Sequence, residues 1–236
     1  MEPNHTKKTI GILGGMGPEA SAYFYNLLIK LAHSKYNAVQ DTDFPPVLIY
    51  NLTLFGFDET GIVDSTLVES QLVGGVKKLE SAGSEFIIIA CNTVHTFYDS
   101  MQDSVSVPII SIIDETVRSA VRGGYRTVGL LSSESTKDMG LYSDKLEAEG
   151  IIICSVDRTQ QEKLNKIILH VMAGTQNEND KEIASEIIRD LIARGAEAVI
   201  LGCTELPLAI DQNDSTVPIL NSNEIIVSSA LALAFA

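Results

Sequence analysis

Two cysteines carry the pattern from which chemistry can be read. Cys91 and Cys203 each follow a short apolar run, residues 86–90 and 198–202, and each is followed at once by polar residues, Asn92-Thr93 and Thr204-Glu205. An apolar strand that ends this way sets its last side chain beside a helix start, where capping side chains and unpaired backbone N–H groups collect. The partial positive charge of a helix N-terminus favours a thiolate. Two such thiols on one ligand would act as base and acid. One takes a proton from a carbon acid on one face, the other returns a proton on the opposite face, and the roles swap for the reverse reaction. The amides beside each cysteine would hold a carboxylate and stabilise the enolate-like charge that develops. Buried cysteine is more often inert packing, and Cys154, inside the apolar run 151–156, is read that way.

The elements that must position these thiols alternate in type. Residues 9–14, 47–52, 86–90 and 108–113 read as buried strands, short and rich in Ile, Val and Leu. Helical patterns lie between and after them, at 18–31, 63–82 and 114–122. The second half repeats the alternation, with strands at 127–131, 151–156, 198–202 and 218–220 and helices at 140–149, 161–172 and 180–194. Strand–helix alternation predicts an α/β protein with parallel sheets and helices on their faces.

The two halves match in their letters. Gly11-Ile12-Leu13 corresponds to Gly129-Leu130-Leu131, Ala90-Cys91-Asn92-Thr93 to Gly202-Cys203-Thr204-Glu205, and Pro108-Ile109-Ile110 to Pro218-Ile219-Leu220, in the same order and at nearly the same separation. This predicts a duplicated unit with a boundary near Gly123-Gly124. The expected halves are residues 1–123, carrying Cys91, and 124–236, carrying Cys203, with a crossing between them near the C-terminus allowed. Related by a pseudo-twofold, they would enclose a cleft at the carboxyl ends of their strands, where both cysteines sit.

Composition narrows the class. The chain of 236 residues is 45% apolar and carries 17 basic against 31 acidic residues, a net charge of −14. That balance repels phosphate backbones and anionic membrane surfaces, so neither nucleic acid nor membrane is an expected partner. No apolar run reaches the about 20 residues of a membrane span, and the N-terminal residues lack the apolar segment of a signal peptide. Three cysteines are too few for a disulfide scaffold. A soluble, cytoplasmic protein with reduced thiols is expected.

Three segments then resemble one family. Gly11-Ile12-Leu13-Gly14-Gly15-Met16-Gly17-Pro18-Glu19, Ala90-Cys91-Asn92-Thr93-Val94-His95 and Gly202-Cys203-Thr204-Glu205-Leu206-Pro207 are similar to signature segments of the aspartate/glutamate racemase superfamily, nearest its aspartate racemase branch. The likeness runs over about residues 9–227. It implies two stacked α/β domains, a cleft between them, PLP-independent racemisation without cofactor or metal, and commonly a homodimer. Cys91 and Cys203 fall on the two catalytic positions. Asn92, Thr93, Thr204 and Met16 fall around the substrate, and Lys163 falls on a helix lysine that helps hold its carboxylate. Glu205 after Cys203-Thr204, where glutamate racemases usually carry His, and the glycines after the first strand resemble the aspartate type.

The resemblance also has departures. Aspartate racemases often carry an Arg soon after the second strand for the distal carboxylate, but residues 52–60 contain none. Such a bidentate contact is hard to replace. Thr60 or a neighbour would take it, with a broader substrate range. Asn221 and Ile226 stand where relatives often have Asp and His. The expected reaction is interconversion of L- and D-aspartate, extending to glutamate or other amino acids.

Other readings compete. Residues 15–20 fit the dinucleotide fingerprint G-x-G-x-x-A, but no acidic residue follows on the second strand for a ribose. Cys91 and His95 suit a nucleophile–base pair, which leaves Cys203 idle. Those residues with Cys203 and Glu205 lack paired metal-ligand spacing. Maleate-type isomerisation, which also uses a cysteine pair, and a catalytically silent small-acid-binding protein remain as alternatives.

Overall fold

The computed structural model describes residues 7–58 and 61–236. Thr60 lies outside the described residues. The first half runs β1 (Ile10–Gly14), α1 (Pro18–Tyr36), β2 (Val47–Asn51), β3 (Phe57–Asp58), β4 (Gly61–Ile62), α2 (Ser65–Ser81), β5 (Phe86–Ile89), α3 (Tyr98–Asp103), β6 (Ile109–Ile110) and α4 (Ile112–Arg122). The second runs β7 (Thr127–Leu131), α5 (Glu134–Asp138), α6 (Ser143–Ala148), β8 (Ile152–Ser155), α7 (Arg158–Met172), α8 (Glu178–Ala193), β9 (Ala198–Leu201), β10 (Ile219–Asn221) and α9 (Ser222–Ala234).

Each half forms a four-stranded sheet, ordered β2-β1-β5-β6 in one and β8-β7-β9-β10 in the other. Taken in chain order within its half, each sheet has the same arrangement, and all its pairings are parallel. The matched segments therefore occupy matched strands. Gly11 and Gly129 lie in the inner strands β1 and β7, and Cys91 and Cys203 follow β5 and β9. The runs β1, β5 and β9 are buried at every residue. With both faces of a parallel sheet covered, these strands read as continuous apolar runs rather than alternating ones.

Three apolar clusters hold the molecule. One lies on the outer face of the first sheet under α2, with Leu13, Leu72, Val76 and Ile87. Another lies under α7 and α8, with Leu164, Ile188, Val199 and Leu201. The third joins the halves: Ile12, Phe24 and Ile88 of the first pack with Val128, Tyr142, Ile200 and Ile226 of the second. Helix α9 leaves β10 of the second sheet and packs on α1 and α4 of the first half, and the Lys8 N–H donates to the Ala234 carbonyl at 3.0 Å.

Local chemistry shifts several boundaries. The expected strand 108–113 stops early because the Ser111 side chain caps α4, accepting from the Asp114 N–H. The expected helix 140–149 is found as the shorter α6, and an unexpected short helix, α5, precedes it. Gly140 between them has φ +64°, a conformation that favours glycine and ends the turn. Asn221, in place of the family's Asp, caps α9 by accepting from the Asn223 and Glu224 N–H groups. Ile226 is fully buried in the shared core. Among the described residues no helix is long and apolar enough to cross a membrane.

Candidate active site

Cys91 and Cys203 line one cleft at the carboxyl ends of the two sheets, in a cavity of about 170 Å³. Each comes from the same place in its own half, so the thiols enter from two sides. Met16, Asn92, Thr93 and Thr204 line the same cleft. Lys163 does not: it is exposed on α7, whose Ile168 and Met172 face the cavity instead.

The glycine turn after β1 is set by close approach. Gly15 has φ +101°, and a Cβ there would lie 2.1 Å from the Leu52 carbonyl oxygen. This turn lets the Gly17 N–H reach across to the second half, where it donates to Glu205 Oε1 at 3.2 Å. That amide therefore serves a carboxylate of the chain itself, not the phosphate that the dinucleotide reading would need. Glu205 Oε2 accepts from Cys203 Sγ at 3.1 Å and from Thr204 Oγ1 at 2.9 Å. A buried carboxylate needs several donors of this kind. Glu205 is thus both a strut between the halves and, among the described lining residues other than the thiols, the only ionisable group in the cleft.

Asn92 is held from the opposite half. The Tyr142 hydroxyl donates to Asn92 Oδ1 at 2.7 Å, and Asn92 Nδ2 is buried with no hydrogen-bond partner. An orphaned buried donor costs about 1–3 kcal/mol, a cost that a ligand oxygen would remove. Thr93 Oγ1 lies 2.8 Å from Thr136 Oγ1 and 3.3 Å from Ser133 Oγ, again across the halves. Asn92 and Thr93 were expected to cap a helix with their side chains. They do not: a 3-10 turn over Thr93–Phe97 follows Cys91, and no side chain caps it.

That difference bears on the thiols. Burial dominates there over the amides of the turn. Burial pushes the Cys91 thiol up to about 12, against the pull of the Val94 and Thr93 amides, with the Glu205 charge adding to the rise. Cys203 is pushed well above the ordinary thiol range by burial, then by the charge and hydrogen bond of Glu205. The expected thiolate is therefore not the resting form, because desolvation outweighs the amides.

His95 is a structural residue. Its Nε2 accepts from the Ile112 N–H at 3.3 Å, so its Nδ1–H donates to the Cys91 carbonyl at 2.9 Å. Both ring nitrogens serve the backbone, which removes His95 as a base for Cys91 and fixes the cysteine's carbonyl. Burial lowers its pKa to about 4. Between that value and the ordinary ~6.5, the unfolded chain binds a proton that the folded chain does not, so stability falls as pH falls through this window. Urea unfolding at pH 7 and pH 4.5 should show a loss of up to about 3 kcal/mol that His95→Gln largely abolishes. An equal loss in the variant would rule His95 out as its source.

Among the described residues no group of three or more His, Cys, Asp or Glu side chains is placed to hold a metal ion. The sequence marks Glu205 as a capping residue, a branch mark and a weak metal-ligand candidate, but not as a lining carboxylate of the cleft. Reasoning from the sequence missed Ser133, Ser135, Ile168 and Met172 as lining residues and Tyr142 as the support of Asn92, since nothing local marks them.

Fold and cleft together define an α/β protein of two similar halves whose shared cleft is lined by a thiol from each. The Asp/Glu/hydantoin racemase family matches residues 13–230, and the chain belongs to that family of isomerases. It is similar to the broad specificity amino-acid racemase RacX of Bacillus subtilis, with 29% identity over 224 residues, covering 94% of this chain and 96% of that protein. The crystal structure of an aspartate racemase homologue from Pyrococcus horikoshii OT3 matches with a TM-score of 0.83 and 34% identity over 97% of this chain and 100% of that one. Picrophilus torridus aspartate racemase matches with a TM-score of 0.83 and 27% identity over 97% and 94% of the two chains.

Proposed function

We propose that the protein is a cofactor-independent amino-acid racemase in which Cys91 and Cys203 exchange the Cα proton. The observation that carries this reading is the arrival of two thiols at one cleft from equivalent strand ends of two sheets. The substrate carboxylate takes the Asn92 Nδ2 donor, with Thr93 and Thr204 beside it and Met16 at its back. The α-ammonium group lies toward Glu205. Burial holds both thiols protonated and the Glu205 charge adds to it; a cation entering there offsets that charge, so that one thiol gives its proton to solvent and stands as thiolate. That thiolate takes the Cα proton. The electron pair of the broken C–H bond passes into the carboxylate as an enolate-like anion. The opposite thiol then protonates Cα on its other face. The product leaves with the two protonation states exchanged, and the reverse reaction starts from there.

Aspartate is the substrate that the family resemblance suggests. The absence of Lys, Arg and His from the described lining residues supports the broader range instead. A homodimer in the cytoplasm belongs to the same reading, and size-exclusion chromatography with light scattering tests the dimer. The reaction is tested by incubating the protein with a panel of L-amino acids in D₂O without PLP or metal, following Cα deuteration by NMR and enantiomer content by chiral chromatography. Deuterated D-amino acid is the expected product. No exchange with any amino acid would move the reading to maleate-type isomerisation or to binding alone.

A further inference from the structure

The cleft lining combines polar and apolar groups. The polar ones are Asn92, Thr93, Thr204 and Glu205, with Ser133 and Ser135. Each half also contributes two large apolar side chains to it, Leu54 and Phe57 from the first and Ile168 and Met172 from the second. These four come from matching places, since the segment after the edge strand β2 supplies Leu54 and Phe57, and α7 after the edge strand β8 supplies the other two. Ile168 and Met172 are one helical turn apart, so both project from one side of α7. Ile168 is 8% exposed, whereas Met172 at the end of the helix is 44% exposed and forms the rim.

We infer that these four side chains form the side-chain subsite and that it selects amino acids with an uncharged, apolar side chain of leucine or methionine size over aspartate and glutamate. The inference rests on the racemase reading above. A bound amino acid places its carboxylate and ammonium groups at the polar groups, where the orphaned Asn92 donor and the Glu205 carboxylate are, so its side chain is left against the four apolar ones. A second carboxylate there would leave water for four apolar side chains with no cation among the described lining residues. It would also face the negative charge of Glu205. A buried charge without a partner is strongly disfavoured. Among the described residues neither half brings to the cleft a cation that an acidic substrate would call for. No Lys or Arg stands among residues 52–60, and Lys163 is exposed on α7 outside the lining. An apolar side chain instead displaces water from apolar surface on both sides of the cleft.

The test is kcat/KM for Cα deuterium exchange with L-Met, L-Leu, L-Ala, L-Asp and L-Glu, on the full chain. Met and Leu are expected to exceed Ala by about tenfold or more, the discrimination an apolar pocket achieves for added methylenes, and to exceed Asp and Glu by about a hundredfold or more. Met172→Arg places a cation on the solvent-exposed rim, where the fold tolerates it. It is expected to raise exchange of Asp relative to Met by about tenfold. Asp or Glu equal to or above Met in the natural protein would overturn the inference and leave the racemase reading standing. No exchange with any of the five would overturn both. The natural protein's ratios decide the question even if the variant does not fold.

Discussion

Cys91→Ala and Cys203→Ala are each expected to lower racemisation by about a thousandfold or more, within the upper range for losing a positioned acid or base. The two variants should also fail asymmetrically. With one thiol removed, the other can still take the Cα proton of the enantiomer whose C–H bond points at it and return a deuteron to the same face. Each variant should therefore wash solvent deuterium into one enantiomer without inverting it, and the two variants should choose opposite enantiomers. Chiral chromatography with NMR on each pure enantiomer reads this directly. Near-normal inversion in either variant would remove that cysteine from the mechanism. Both thiols are buried, and alanine leaves only a small void, so a general loss of fold is not the expected cause.

Glu205→Gln should give the second-largest effect, in two separable parts. The carboxylate accepts from the Gly17 N–H, Cys203 Sγ and Thr204 Oγ1 and is the proposed partner of the substrate ammonium. Losing its charge should raise KM by about ten- to a hundredfold, the worth of one charge-assisted contact. The pH profile should move as well. Glu205 raises the pKa of both thiols by its negative charge, so removing that charge makes each thiol easier to ionise. The limb on which activity rises with pH should shift to lower pH in the variant. A purely structural strut would lower the amount of folded protein without moving that limb. A kcat profile from pH 6 to 10 on folded protein, which reports the thiols with substrate bound, distinguishes the two, and an unmoved limb with unchanged KM would end the role given to Glu205.

The sequence by itself determined the architecture and the matched placement of Cys91 and Cys203 at two strand ends. Parallel strands buried on both faces announce themselves as uninterrupted Ile, Val and Leu runs, which is why β1, β5 and β9 could be read directly. Duplication made the two cysteines legible as a pair, because equal register in two copies of one unit means equal position at the strand ends. The tertiary structure decided what surrounds them, since those contacts join residues far apart in the chain. Tyr142 holds Asn92 from the other half, and Gly17 reaches Glu205 across the cleft. No local pattern encodes either contact. Lys163 looked functional because it stands at a family position, but the pitch of α7 turns Ile168 and Met172 inward and leaves Lys163 in solvent. The state of the thiols was likewise a tertiary matter. A helix start nearby argued for thiolate, but the turn after Cys91 is short and the site is buried beside a carboxylate, so desolvation sets the balance. A sequence lists which groups are present, whereas burial and the charges opposite them are properties of the packed molecule.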